Sequence, residues 1–399
     1  MPIQVFPTPS AGASYSSQPP ASASSVLLDG QLVTASSIST SVTGTGAPWL
    51  LYANGAGTAT ITIAGTAYTV TAGSTVGTSA YTGSQSVSVA ASFASTAPAT
   101  FTASTMPSSS SWTGVTYGNG YFVAVQGSAT NAGAYSTNGT FWTASTMPSS
   151  SNWTSVTYGN GYYVAVQSSG TTAGAYSTNG TTWTASTMPS SSNWTSVTYG
   201  NGYFVAVPAS GTTAGAYSTN GTSWTASTMP SASYWRAVTY GNGYFVAVAS
   251  GTTAGAYSTN GTTWTASTMP SASYWTSVTY GNGYYVAVQA SGTTAGAYST
   301  NGSTWTASTM SSADGWRSVT YGNGYFVAVA AGTTAGAYST NGTTWTASTM
   351  PSASSWLGVT YGNGYFVAVQ SSGTTAGAYY SFPPLPVAYG IYNGATVRA

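Results

Sequence analysis

The feature that most constrains the fold is a phrase that recurs at a nearly fixed interval. WTSVTYGNGYYVAVQ runs from Trp153 to Gln167, and a second phrase, AGAYSTNGTTWTASTMP, follows it from Ala173 to Pro189. Self-similarity at a period of 40 or 41 residues is typical of repeat architectures. The leading tryptophan of the first phrase recurs at Trp112, Trp153, Trp194, Trp235, Trp275, Trp316 and Trp356.

One repeat contains four short predicted strands, and the second, Tyr162–Val166, is a run of aromatic and β-branched residues, the composition favoured in sheets. The glycine and threonine content argues against helices. Asn179-Gly180 is predicted as a type I′ hairpin turn, in which both central residues take positive φ. The predicted strands of one repeat are Trp153–Tyr158, Tyr162–Val166, Ala173–Ser177 and Thr182–Ser186, with a turn at Gly159-Asn160-Gly161 after the first.

Four strands in each repeat predict an all-β fold, a seven-bladed β-propeller of four-stranded blades. A solenoid is the alternative, but the ends of the array favour a closed ring. The last repeat lacks its fourth strand, and Ser95–Pro107 supplies a matching segment before the array, with Phe101 in the tryptophan place. We therefore expect this segment to pair with Ala376–Ser381 and close the ring, because closure removes unpaired strand edges.

The hairpin YSTNGTTW (Tyr176–Trp183) resembles a shortened Asp-box, the S-x-D-x-G-x-T-W hairpin of sialidase-like propellers, with Asn179 in the Asp place and one residue missing. The whole repeat resembles propeller repeats of bacterial proteins and of bacteriophage tail or surface proteins. The resemblance covers roughly residues 93–382 and implies a propeller displayed on a virion.

The segments that flank the array differ from it in composition. Residues 1–25 are rich in Ser, Ala and Pro and predict an extended arm. Residues 26–92 contain hairpin signals at Asp29-Gly30 and Ala64-Gly65 and predict a small antiparallel β domain for attachment. Residues 93–382 are assigned to the propeller and 383–399 to a C-terminal tail. An additional domain joined by a linker is the plainer alternative to an attachment module.

The near absence of charge excludes most kinds of site. Among 399 residues there is no His, Cys, Lys or Glu. General acid–base and nucleophilic catalysis therefore lack most of their usual groups, and we expect no enzyme. We also expect no metal site and no cofactor, no nucleic-acid binding, and no membrane insertion. The formally charged residues are Asp29, Asp314, Arg236, Arg317 and Arg398.

The repeats differ mainly on one predicted face of the propeller, beside the leading tryptophan and after the second strand. These loops either drifted freely or form a recognition surface. We expect the tryptophans themselves to pack between blades rather than to bind sugars. The candidate ligand-binding residues on this variable face are Asn152, Asn193, Tyr234, Tyr274, Arg236, Arg317, Gln126, Gln167, Gln289 and Gln370.

These features together predict a non-enzymatic bacteriophage structural protein, a tail fibre, surface fibre or capsid decoration, at the virion surface. Its partners would be other virion proteins through the N-terminal region, and a host-surface glycan through the propeller. A multi-copy or homo-oligomeric arrangement would multiply weak contacts. The alternatives are a free carbohydrate-binding lectin and a cell-surface adhesin or scaffold.

Overall fold

The fold is described from a computed structural model, which contains strands, turns and bends and no helix among the residues it describes. This confirms the all-β prediction for that part of the chain, where no segment could cross a membrane as a helix. The described residues are 3–4, 26–28, 31–33, 37–53, 58–71, 75–92, 97–128, 130–168, 173–292, 295–373, 376–382 and 388–393.

The chain divides into two compact units, Met1–Thr96 with Phe382–Ala399 and Ala97–Ser381. The strands of the first unit are β1 (Ile3–Gln4), β2 (Val26–Leu28), β3 (Gln31–Val33), β4 (Ser37–Ala53), β5 (Thr58–Ile63), β6 (Thr66–Thr71), β7 (Thr75–Ser92) and β34 (Ala388–Asn393).

Most of the first unit is a six-stranded sheet in the order β1-β34-β4-β7-β5-β6, with β2 and β3 as a separate pair. The hairpin predicted at Ala64-Gly65 joins β5 to β6, and both of its turn residues take positive φ. Strand β34 comes from the segment expected to be a tail and pairs with β4. Asp29-Gly30 and most of the predicted arm and tail lie outside the described residues.

The second unit is a β-propeller of four-stranded blades, as the repeat predicts. Five of its sheets have four strands each, namely β9 (Trp112–Gly118), β10 (Tyr121–Gln126), β11 (Thr130–Ser136) and β12 (Thr143–Ser151); β13 (Trp153–Gly159), β14 (Tyr162–Gln167), β15 (Ala173–Ser177) and β16 (Thr184–Thr187); β17 (Trp194–Gly200), β18 (Tyr203–Pro208), β19 (Ala214–Ser218) and β20 (Thr225–Thr228); β27 (Gly315–Gly322), β28 (Tyr325–Ala331), β29 (Thr333–Ser339) and β30 (Thr346–Ser354); and β31 (Trp356–Gly362), β32 (Tyr365–Gln370), β33 (Gly377–Ser381) and β8 (Thr102–Ser104).

A further sheet has six strands, because two of its strands run on without a break. These strands are β21 (Tyr234–Gly241), β22 (Tyr244–Ser258), β23 (Thr265–Gly281), β24 (Tyr284–Gln289), β25 (Gly296–Ser299) and β26 (Thr306–Ser308). Strand β22 covers the second and third strand segments of one repeat. Strand β23 pairs with β22 through its first half and with β24 through its second half.

The core lies between the blades, and the second strand of each repeat is buried on both faces. In β14, Tyr163, Val164, Ala165 and Val166 are all 0% exposed. Packing on two faces explains why this strand is almost continuously apolar in sequence rather than alternating. The predicted strand bounds match the structure closely, although the fourth strand begins two residues later, at Thr184.

The two hairpin turns of a repeat are built differently. In the first, Asn160 and Gly161 both take positive φ, as a type I′ turn requires. The type I′ prediction for Asn179-Gly180 is wrong, because only Gly180 takes positive φ, at 74°. There the Ser177 hydroxyl accepts hydrogen bonds from the backbone N–H of both residues, at 3.2 and 2.9 Å. Hydrogen bonds to the serine side chain therefore stabilise this turn, which lacks the second positive φ of a type I′ turn.

The closing strand that the sequence predicts is confirmed. Strand β8 pairs antiparallel with β33, with Ala103 opposite Ala378. The first strands of neighbouring repeats contact each other, and β9 contacts both β13 and β31. Isolated parallel bridges also join neighbouring blades, including one between Thr100 and Thr349 across the closure. The described repeats therefore form a closed ring rather than an open solenoid.

Candidate functional site

The leading tryptophans are structural residues, as the sequence indicates. Each is 0% exposed, and each donates its indole N–H to the backbone carbonyl of the serine four residues earlier. The bond from Trp235 to Ser231, for example, spans 3.2 Å. None of the seven is accessible to a sugar ring. A glycan site on this propeller would have to use other aromatic residues.

The four candidate glutamines are also buried, because the structure gives Gln126, Gln167, Gln289 and Gln370 exposures of 0 to 2%. In β-sheet register Gln167 lies opposite Trp153 and Gln289 opposite Trp275, beside the buried indoles. These glutamines therefore do not belong to the solvent-exposed part of the variable face. Sequence variation at this position reflects packing between neighbouring blades.

A β-bulge follows the leading tryptophan of every repeat and determines where the next side chain points. In the third repeat, Trp194 lies opposite Pro208 and Ser196 opposite Val207, so that Thr195 is the extra residue. A bulge re-aims the side chain it carries. The bulge residues around the ring are Thr113, Thr154, Thr195, Arg236, Thr276, Arg317 and Leu357.

A threonine at the bulge position forms a hydrogen bond to the next blade. The hydroxyl of Thr195 lies 3.0 Å from the carbonyl oxygen of Val207 and 2.7 Å from that of Trp235, in the following repeat. The same pair of contacts occurs at Thr113, Thr154 and Thr276. Arg236 and Arg317 replace the threonine, and both are exposed. An arginine at these two positions cannot make the hydrogen bond to the next blade that the threonine makes in four other repeats.

One depression on the variable face brings four of the candidate residues together. Its volume is about 600 Å³, and Asn193, Tyr234, Arg236 and Tyr274 line it. Tyr234 and Tyr274 are 57% and 60% exposed, which is unusual for large side chains in this ring. The other lining residues are Ser168, Thr195, Ala209, Ser250, Gly251 and Thr252.

The sheet register fixes the distance between the two tyrosines. Ser250 lies opposite Tyr234 on one side and opposite Tyr274 on the other. Residues directly opposite in antiparallel strands point to the same face. The two tyrosines lie on the strands at either side of the strand that carries Ser250. Two strand-to-strand spacings, roughly 10 Å in total, therefore separate their Cα atoms. The small side chain of Ser250 therefore forms a floor between two aromatic walls.

The short loop of this repeat creates that arrangement. One residue is missing near Ala249-Ser250, and β22 continues through the position where longer repeats leave the sheet. Continuation places Ser250 in register with both tyrosines. Variation between the repeats predicts both tyrosines as site residues, but it carries no signal for their common partner. Ser250, Gly251 and Thr252 were therefore missed as site residues.

The remaining candidates are not part of the depression. Asn152 is half-buried one repeat away from Asn193. Arg317 lies in a second short-loop repeat, where the residues equivalent to Tyr234 and Tyr274 are Gly315 and Ser355. The structure thus separates the two arginines and gives aromatic neighbours to only one of them.

Arg236 dominates the electrostatics of the depression because, among the described residues, it is the only charged one in the lining. Within the described residues its guanidinium makes neither a hydrogen bond nor an ion pair, and no cluster of three metal-ligating side chains occurs. The lining offers hydroxyls, one amide, two phenol rings and a cation. It can bind and orient a ligand, and it contains no carboxylate, imidazole or thiol to move a proton.

Similar solved structures support the propeller fold. A virginiamycin B lyase from Staphylococcus aureus is 15% identical, with a TM-score of 0.61, over 68% of this chain and 95% of the lyase. YCF48 from Cyanidioschyzon merolae is 14% identical, with a TM-score of 0.53, over 71% and 98%. The WD40 propeller domain of Doa1 is 10% identical, with a TM-score of 0.55, over 70% and 96%.

Identities this low establish the fold alone, so neither the lyase activity nor any binding partner transfers to this chain. No protein-family model matches the sequence, and no curated protein matches it significantly. An enzyme is nevertheless among the structural neighbours, which shows that a propeller of this shape can carry catalysis when it has suitable side chains.

Proposed function

We propose that this chain is a non-enzymatic binding propeller carried on the surface of a bacteriophage virion, where its variable face contacts the host. The observation that carries the proposal is the depression that contains Tyr234, Arg236 and Tyr274. It lies where the repeats differ, on a ring whose other blade features are nearly identical. Exposed aromatic residues beside an unpaired arginine are typical of recognition surfaces.

The composition supports binding rather than catalysis. The chain has two acidic residues, and Asp314, the one that the structure describes, does not line the depression. General acid–base chemistry requires a proton donor or acceptor within hydrogen-bond reach of a bound substrate. Tyrosine hydroxyls are present, but without a neighbouring base or several cations they are poor nucleophiles at neutral pH.

We also propose that the ring has seven blades and that its hairpins are an Asp-box variant. The seven tryptophan-led repeats support this count, with the six-stranded sheet counted as two blades joined through β23. The turn at Ser177 supports the hairpin assignment, because Asn179 accepts two backbone hydrogen bonds where an Asp-box has its aspartate.

The attachment role belongs to residues 26–92 in this proposal, with many copies on one particle. A single binding face with few charges gives weak contacts, and copy number multiplies them. The resemblance of the repeats to bacteriophage propellers supports a virion location. Tail fibre, surface fibre and capsid decoration are the positions that this layout fits.

Mass spectrometry of purified particles of a bacteriophage whose genome encodes this chain tests the virion location. We expect the chain in a fixed ratio to the capsid or tail proteins, retained after density-gradient purification. Particles that lack the chain would overturn the proposal. If the free protein then bound discrete glycans tightly, the lectin alternative would take its place.

A further inference from the structure

We propose that the depression is a binding site for a carboxylate-bearing saccharide, such as a uronic acid unit, with one site per chain. The inference rests on the proposed function and specifies the ligand chemistry of the same face. Tyr234 and Tyr274 would form the walls, Ser250 the floor and Arg236 the contact to the carboxylate.

The spacing of the walls suits a flat, partly apolar group. Both tyrosines lie at backbone positions fixed by pairing with Ser250. The ring of Tyr234 also lies beside Gly211 of the preceding repeat, where an added Cβ would be 3.6 Å from its Cζ. A gap of roughly 10 Å between Cα atoms leaves space for one sugar ring, whose C–H face packs on an aromatic ring while its hydroxyls reach polar groups.

The identity of the bulge residue points to a ligand for the arginine. In four repeats a threonine at this position bonds to the next blade. Arg236 abandons that bond and leaves its guanidinium without a protein partner among the described residues. Packing does not explain this exposed cation, and the same change occurs at Arg317. Arg236 differs from Arg317 in sharing the lining of the depression with Tyr234 and Tyr274. Arg236, the extra residue of this bulge, lines the depression together with the two tyrosines.

One guanidinium matches one carboxylate. Arginine binds carboxylate through two parallel N–H···O bonds, and the part of the chain that the structure describes places no second cation in the lining. A phosphate group carries more charge and is usually bound by several cations or backbone N–H groups. The hydroxyl of Thr252 and the amide of Asn193 suit the neutral hydroxyl groups of a saccharide.

The ring contains its own control for this site. The repeat that carries Arg317 has the same one-residue deletion, and Arg317 occupies the same bulge position. There Gly315 and Ser355 replace the tyrosines, so the arginine lacks aromatic walls. The inference therefore predicts a single site in each chain. It predicts no second site at Arg317 and no site that recurs in every repeat.

Titration calorimetry on the full chain at low ionic strength tests the proposal, with tetragalacturonate as the probe. The matched probe is the same tetrasaccharide with its carboxyl groups reduced to alcohols. We expect the acidic probe to bind with a stoichiometry of one. The reduced probe should bind about 10- to 100-fold more weakly, because it loses the hydrogen bonds between the guanidinium and the carboxylate. Added salt should weaken only the acidic probe.

Arg236→Thr should reduce the affinity for tetragalacturonate by about the same factor, and Arg317→Thr should leave it unchanged. A Tyr234→Ala/Tyr274→Ala double variant, checked for an unchanged melting curve, should weaken both probes, because it removes the stacking surface. Equal binding of the two probes, insensitivity to Arg236→Thr, or stronger binding of inorganic phosphate than of the uronate would overturn the inference.

The two proposals fail separately. A chain found in virus particles that does not distinguish the acidic from the reduced probe would leave the virion role intact and remove the uronate site. A chain absent from particles that binds uronate through Arg236 would do the reverse.

Discussion

Ala103 pairs with Ala378 across the closure of the ring, although the two residues lie at opposite ends of the repeat array. Phe101, just before this strand, is 3% exposed and contacts the ring of Tyr380, with ring centroids 6.0 Å apart. The closing strand is therefore held by a buried aromatic side chain as well as by its backbone ladder.

Phe101→Ala should lower the free energy of unfolding by about 3–5 kcal/mol, because it removes a buried ring and leaves a cavity at the closure. The measurement is urea denaturation followed by tryptophan fluorescence. Phe141→Ala is the control, since Phe141 is 83% exposed and its loss should change stability by less than about 0.5 kcal/mol. Equal effects of the two substitutions would mean that Phe101 does not secure the closure.

Gly159→Ala should be severely destabilising, by about 3 kcal/mol or more, because the added methyl group would overlap the ring of Tyr199 in the next blade. Gly161→Ala provides the comparison two residues away. Gly161 has a φ of 81° and open space around it, so only backbone strain of about 1 kcal/mol is expected. Thermal melting of both variants checks the order, and a less stable Gly161→Ala would contradict it.

The buried phenols of Tyr163 and Tyr285 should make stability fall at high pH. Burial raises the pKa of both groups above the ordinary value of about 10. Above that pH the unfolded chain loses these protons while the folded chain keeps them, so the unfolded state is favoured as pH rises. The stability that the two buried phenols contribute is fully present below about pH 10 and falls above it.

A Tyr163→Phe/Tyr285→Phe variant tests this dependence. Phenylalanine already occupies the equivalent place in β10 and β18, at Phe122 and Phe204. The variant should therefore fold at neutral pH and lose less stability than the parent between about pH 9 and 11.5. Denaturation curves at a series of pH values give the comparison. Parallel pH profiles for parent and variant would count against the burial effect.

Arg236→Thr and Arg317→Thr should each stabilise the ring by about 0.5–1.5 kcal/mol, because threonine restores a hydrogen bond to the next blade. The reciprocal change, Thr195→Arg, should cost a similar amount, since it removes bonds of 3.0 and 2.7 Å to Val207 and Trp235. Chemical denaturation of the three variants measures the effect. A loss of stability in both arginine variants would show that the guanidinium groups support the fold.

The blades could be predicted well from the sequence because the same pattern of strands and turns occurs in every repeat. Strands of two-sided burial, such as Tyr163–Val166, and the closing segment around Phe101 could be recognised without coordinates. The turn at Asn179-Gly180 was mispredicted because Ser177 supplies side-chain hydrogen bonds that a dipeptide rule ignores.

The candidate site was only partly predictable. Variation between repeats identified Tyr234, Arg236 and Tyr274, but it also selected Gln126 and its equivalents, which are buried. Variation alone cannot distinguish an exposed position from one that packs against a neighbouring blade. The role of Ser250 depends on sheet register across three strands, which the one-dimensional pattern does not contain.

The position of β8 also has a consequence for biosynthesis. This strand leaves the ribosome before any repeat, and its partner β33 is the last propeller strand to emerge. At translation rates of about 5–20 residues per second, the first strand waits for roughly tens of seconds with its edge unpaired. During that time nascent chains on one messenger are able to exchange this strand, the domain swapping that is characteristic of repeat proteins.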